Sequence, residues 1–409
     1  MTRENRFRFV NYKEEIKNKV VISHKNVHYA EHDQELDSFF ASSVERWSSS
    51  NSGQELVAFR KRIAPHSVSL QLVHLHQKLI VTELLSFLKL TPVVACTPFL
   101  DLVGSLCCDL REDFLPYLQD FLPEIFELIR TQYKDGDVLH QSFNCLSHVT
   151  YFLHRPLTQD VSNTLKMFSP ILTSHVTHIA EFGAECLAFI LRKVSDRHVL
   201  LFKMLEVFEE NYSLIGILLS EVLRGPHGRL HTSAHEILPL MFGLACGTQA
   251  SPTPGVRKGI AALLKKRCHP ESVKQNAEHI KISAAGMALR ETLIRLLGSL
   301  DANEVVYLIG LLEVSFDGMK NSPDVLERFK EALSILNTLI CSSPTEYAAS
   351  TEDSFGACFS KALSVSASED IIPVFTKFLR GSIRRYNPFD QIRMVCRGLF
   401  RQELLDFNG

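Results

Sequence analysis

The chain has 409 residues, 45% of them hydrophobic, enough apolar content to bury a sizeable core. Its 44 Lys plus Arg face 46 Asp plus Glu, a formal charge of −2, which excludes binding of nucleic acid by bulk positive charge and leaves only local contacts. Ten cysteines are scattered from Cys96 to Cys396 without metal-ligand or redox spacing, and apolar runs such as Leu214 to Leu219 are far short of a membrane span, so a soluble, intracellular chain with free thiols is expected.

In chain order, the first 50 residues are polar and broken. "RENRFRF" interleaves Arg3, Arg6 and Arg8 with Phe7 and Phe9, a composition able to dock on a partner or stack on bases. His24, His28 and His32 recur every four residues, but no Cys or second cluster completes a zinc set, so a polar surface segment is the favoured reading. "SSSNSG" at Ser48 to Gly53 reads as a connector, which divides the chain into a polar extension and linker over 1–53 and a helical array over 54–409.

From Val68 to Phe407 amphipathic stretches of about 10 to 20 residues alternate with short punctuation such as "LTP", "KDGD" and "LRGPHG", and strand signals are scarce. The class is therefore all-α. Superposing Phe99 to Leu110 on Val138 to Leu153 and on His178 to Val194 aligns Leu106, Leu146 and Cys186 at intervals of 40 residues, and Val103, Phe143 and Gly183 keep the same interval. A helix pair recurring at that period fits a HEAT/armadillo-like α-solenoid of stacked antiparallel pairs, in which each pair buries its apolar faces only against its neighbours. Pro116 and Pro123 predict segmented or kinked helices between Arg111 and Arg130. In His178 to Asp196, one stripe is Ile179, Phe182, Cys186, Phe189 and Ile190, and another is Ala180, Ala184, Leu187, Leu191 and Val194, with a polar seam of Glu181, Glu185, Ala188 and Arg192 between them.

Reactive constellations are sparse. His231 and His235 are four apart on an expected helix, but Thr232 stands where a zinc protease needs its general-base Glu. Cys107 with Cys108, and Cys268 with His269, lack the spacing of zinc or redox motifs. No phosphate loop, nucleophile elbow or dinucleotide fingerprint occurs, so neither an enzyme nor a cofactor is expected. Two basic stretches remain. One groups Arg257, Lys258, Lys265, Lys266 and Arg267 without an acid. The other holds Lys377, Arg380, Arg384, Arg385, Arg393, Arg397 and Arg401 against Asp390 alone. Arg393, Arg397 and Arg401 recur every four residues and would line one helix face, suited to phosphates or to an acidic partner. The bland reading of both is a solvated face paired with acids of neighbouring repeats.

The stretches Phe99 to Ile129 and His178 to Asp196, with weaker likeness in "RFRFVNYKEEI" and "SFFASSVERW", resemble the very large HEAT-repeat scaffold family of the small-subunit processome, component twenty, also called down-regulated in metastasis. The likeness is densest from Phe99 to Phe202, thins after Leu230, and concerns only the N-terminal region of a family whose members are several times longer. It implies a nucleolar protein of the 90S pre-ribosome that acts with other small-subunit processome proteins, pre-rRNA and snoRNP in pre-rRNA processing. It implies scaffolding, with no catalysis, membrane or small-molecule substrate. The competing reading is a HEAT/armadillo adaptor that binds proteins and has no role for RNA.

Overall fold

The computed structural model describes residues 38–50, 53–92, 95–208, 211–246, 282–319, 324–365 and 371–383. Among them no strand occurs, and the pairing of Arg224 with Leu230 is an isolated bridge, so the all-α class holds. The chain forms two compact units, 1–194 and 195–409.

In the first unit the helices are α1 (Phe39–Ser50), α2 (Gln54–Ile63), α3 (Leu70–Leu75), α4 (Gln77–Leu90), α5 (Thr97–Leu110), α6 (Leu115–Thr131), α7 (Gly136–Phe152), α8 (His154–Gln159), α9 (Val161–Leu172) and α10 (Thr177–Leu191). They form two rows. Helices α2, α4, α6 and α9 pack in succession along one, and α5, α7 and α10 along the other, with α4 on α5, α6 on α7 and α9 on α10 joining them. This is an α-solenoid arrangement. The 40-residue register falls where the rows need it: Leu106, Leu146 and Cys186 are each 0% exposed on α5, α7 and α10. One helix to the next, the Phe143 and Phe182 rings stack with centroids 3.7 Å apart.

Capping residues set the helix starts. Asp135 accepts the amides of Asp137 and Val138 at 3.0 and 3.2 Å to open α7, and Asp160 accepts that of Asn163 at 3.0 Å to open α9. Helix α6 runs unbroken through the region where prolines predicted segmentation. Pro116 lies in its first turn, where no intrahelical amide bond is lost, and Pro123 faces solvent inside it. On α10 both predicted stripes are buried except Phe189, which is half-exposed, while Ala188 of the expected seam is buried.

Within residues 1–53 the structure describes α1, whose last turn includes Ser48 to Ser50. It lies antiparallel on α5. Asp109, near the end of α5, adds to the local cap, in which Ser38 Oγ accepts the Ala41 amide at 3.0 Å: it accepts the Ser38 hydroxyl at 2.6 Å and the amides of Phe39 and Phe40, both at 3.0 Å. Further along, the Ser43 and Ser105 hydroxyls meet at 2.7 Å, and the Trp47 indole N–H donates to Asp101 at 2.9 Å, alongside an Arg46 to Asp101 ion pair.

The second unit repeats the scheme with α11 (Arg197–Phe208), α12 (Tyr212–Leu223), α13 (Ala234–Cys246), α14 (Ile282–Leu296), α15 (Ala302–Met319), α16 (Val325–Ser342), α17 (Ala348–Val365) and α18 (Ile372–Ile383). Helices α11, α13, α15 and α17 form one row and α12, α14, α16 and α18 the other. Asp301 and Glu304 make a reciprocal capping box at the start of α15, each backbone amide donating to the other side chain at 3.1 and 2.9 Å. The free oxygen of Glu304 accepts the Leu230 amide at 2.7 Å, which ties down the turn formed by "LRGPHG". Between α12 and α14 the backbones approach so closely that a Cβ at Gly216 would lie 2.6 Å from the Glu291 Cβ and 3.0 Å from its carbonyl carbon. Only glycine fits there without moving a helix.

Candidate interaction surface

Most of the cations singled out in the sequence lie outside the described residues: Arg257, Lys258, Lys265, Lys266 and Arg267 in one stretch, and Arg384, Arg385, Arg393, Arg397 and Arg401 in the other. Lys377 and Arg380 fall on α18, where Lys377 is exposed. Arg3, Arg6, Arg8, His24, His28, His32, Cys268 and His269 also lie outside the described residues. His231 departs from its expected place: it precedes α13, its ring nitrogen 2.9 Å from the Ser233 hydroxyl, while His235 is on the helix and meets the Tyr307 ring at 5.2 Å.

Burial decides the chemistry of the thiols. Cys107, Cys186, Cys246 and Cys358 are all buried, and desolvation holds the Cys107, Cys246 and Cys358 thiols well above their ordinary range. Cys108, beside Asp109, is pushed up to about 12, chiefly by desolvation. At neutral pH Cys107, Cys108, Cys246 and Cys358 are therefore protonated and poor nucleophiles. Among the described residues no group of three or more His, Cys, Asp or Glu side chains is placed to hold a metal ion, and no helix is long and apolar enough to cross a membrane. An open depression of about 690 Å³ between α6 and α7 is lined by the six consecutive residues Thr131 to Gly136, one loop with no converging side chains from other elements.

Two surface features stand out in the first unit. On α2, α3 and α4, the exposed aliphatics Val57, Leu75 and Leu79 neighbour in sequence the exposed cations Arg60, Lys61 and Lys78, while Arg62 is paired with Glu83 at 2.9 Å and lies over the Phe87 ring at 5.2 Å. The other feature is at the C-terminal ends of α7 and α10. These helices run in parallel, since Phe143 meets Phe182 and, two turns on, Tyr151 meets Phe189. The Tyr151 and Phe189 rings lie 6.3 Å apart and 30° from parallel, His154 stands edge-on to Phe189 at 6.2 Å, and Phe152 packs against Tyr151 at 5.1 Å. The Lys193 ammonium sits over the Phe189 ring at 4.7 Å, and Arg155 is exposed just beyond the end of α7. Sequence reading missed this cluster because each ring counts as an apolar stripe residue of its own helix. The signal available was "YFLHR" in one repeat and "FILRK" in the next, aromatic and basic residues together at corresponding helix ends.

No family model matches the chain. It is 26% identical over 261 residues to the U3 small nucleolar RNA-associated protein 20 of Saccharomyces cerevisiae (strain ATCC 204508 / S288c), covering 61% of this chain and 10% of that protein. The chain resembles U3 small nucleolar RNA-associated protein 20. The protein of that name from Schizosaccharomyces pombe (strain 972 / ATCC 24843) is 24% identical over 245 residues, 57% of this chain and 10% of its own length. These matches bear out the resemblance read from the sequence. The chain spans about a tenth of the length of the curated relatives it matches. Among solved structures, an engineered protein aligns with 90% of this chain and 99% of its own at 14% identity and a TM-score of 0.28.

Proposed function

We propose that this chain is a non-catalytic HEAT-repeat scaffold of the nucleolar small-subunit processome, the 90S pre-ribosome, supporting pre-rRNA processing and small-subunit biogenesis. The observation that carries the proposal is the similarity, over 261 and 245 residues, to two proteins named for their association with U3 small nucleolar RNA. The paired rows of helices supply the means: a stack of this kind offers long ridges to several partners at once and has no need of an enclosed pocket. Its partners in this reading are other small-subunit processome proteins, with pre-rRNA and snoRNP within the particle. The basic stretches at 257–267 and 377–401 are candidate contacts for phosphates or for acidic partners.

Cross-linking RNA to the tagged chain in living cells tests the proposal. Pre-rRNA and U3 small nucleolar RNA are expected among the recovered sequences. Recovery of RNA no richer in either than an untagged control would overturn it.

A further inference from the structure

We infer that the C-terminal edge of α7 and α10 is a binding site for single-stranded RNA, with Tyr151 and Phe189 as stacking surfaces and Arg155 and Lys193 as phosphate contacts. The choice of RNA over another polyanion rests on the proposed function; the site itself rests on geometry. Two parallel helices bring Tyr151 and Phe189, 38 positions apart in the sequence, to 6.3 Å at one end of the row, with His154 edge-on beside them. All three are part-exposed, and the Lys193 ammonium lies over the Phe189 ring, where a base would take its place as the ammonium moves to a phosphate. Arg155 and Lys193 are both exposed, and neither makes an ion pair among the described residues. A cation flanking aromatic rings is the pattern that holds a single strand: the backbone tracks the positive charge and the bases find π-faces, without any requirement for sequence.

The surroundings favour RNA over a protein partner. Interfaces between proteins need a dry apolar centre. Among the described residues of the first unit, the exposed large hydrophobic ones are Phe39, Val57, Val68, Leu75, Leu79 and Leu90, and none is at the α7 and α10 edge. The acids of α10, Glu181 and Glu185, lie toward its N-terminal end, one turn or more back from Phe189, and so leave the cations at the opposite end.

The test uses the full chain and a fluorescein-labelled oligouridine of about ten nucleotides, within the span that one stacking groove covers. Anisotropy titrations across a range of salt compare the native chain with R155E/K193E and with F189L. The double variant should bind at least tenfold more weakly, and its slope of log affinity against log salt should fall by about 1.4, the loss of two phosphate contacts to a single strand. F189L should weaken binding several-fold and leave that slope unchanged. Thiouridine in the same oligonucleotide should cross-link to the peptides holding Tyr151 and Phe189. Unchanged affinity of R155E/K193E with native helicity and melting would overturn the inference, as would cross-links confined to other helices or an absence of binding. A native chain that joins large nucleolar particles while R155E/K193E binds oligouridine normally would sink this inference alone. Binding at this edge by a chain absent from those particles would support it and sink the proposed function.

Discussion

Removing the Asp109 carboxylate should undock α1 while the rest of the first unit stays folded. The side chain accepts three hydrogen bonds at the start of α1, from the Ser38 hydroxyl and from the Phe39 and Phe40 amides. Of these donors the Ser38 hydroxyl, which can rotate to another acceptor, and the Phe40 amide are buried, whereas the Phe39 amide is part-buried. Leaving one buried amide without an acceptor costs about 1 to 3 kcal/mol, while the local cap of Ser38 on the Ala41 amide stays in place. Desolvation already lifts the Asp109 carboxyl above its ordinary range, against the pull of its three donors, so part of this loss is returned when the charge goes. A net penalty of about 1 to 2 kcal/mol for Asp109→Ala follows. The apolar anchors of α1 are Phe40 and Val44, both buried and together worth about 3 to 6 kcal/mol, so the penalty removes about a third of what holds the helix down. The assay is direct because Trp47, on α1, is the only tryptophan in the chain, and its indole donates to Asp101 on α5. In urea, the emission of D109A should shift to the red at lower denaturant than the loss of far-ultraviolet helicity, with the two transitions further apart than in the native chain. If emission and helicity move together and the emission midpoint is unchanged, Asp109 does not hold α1.

Other expectations follow from single positions. Cys186→Ser places a hydroxyl at a fully buried position on α10 and should cost about 1 to 2 kcal/mol in a thermal melt, with far-ultraviolet helicity retained at 25 °C. Gly216→Ala must push α12 from the Glu291 backbone and should cost about 1 to 3 kcal/mol, seen as faster amide exchange in α12 and α14. Burial raises the Glu331 carboxyl above its ordinary value, and Arg290, 3.5 Å away, pulls it partly back. The folded value therefore exceeds the unfolded one, so the favourable contribution is full below the unfolded value and lost as pH rises through the folded value. Amide exchange in α16 should quicken as pH rises through the range just above ordinary glutamates, after correction for intrinsic exchange, and Glu331→Gln should flatten that rise.

What could be read from the sequence was what repeats. A buried row recurring every 40 residues leaves a periodic trace, and Leu106, Leu146 and Cys186 were found in register from spacing alone. Contacts made once leave no such trace. Asp109 caps a helix whose start is 70 positions away, and within its own helix it reads as an ordinary polar residue. The stretch around Ser48 to Ser50 reads as a connector by composition, yet those serines lie in the last turn of α1, each hydroxyl donating to a carbonyl in the preceding turn. Phe189 was placed in a buried stripe because helical periodicity cannot tell a core ring from one at the mouth of two stacked helices. Charge patterning drew attention to 257–267 and 377–401, while exposed cations beside part-exposed rings are present at Arg155 and Lys193, where one or two basic residues carry no statistical weight.

The most direct test of the central claim is the sedimentation of the native chain in gentle cell extracts, probed with an antibody to it and for U3 small nucleolar RNA. The account predicts that the chain travels with U3 small nucleolar RNA in the largest pre-ribosomal fractions and moves to light fractions after ribonuclease treatment. A chain found only in light fractions, with U3 small nucleolar RNA intact in the heavy ones, would contradict it.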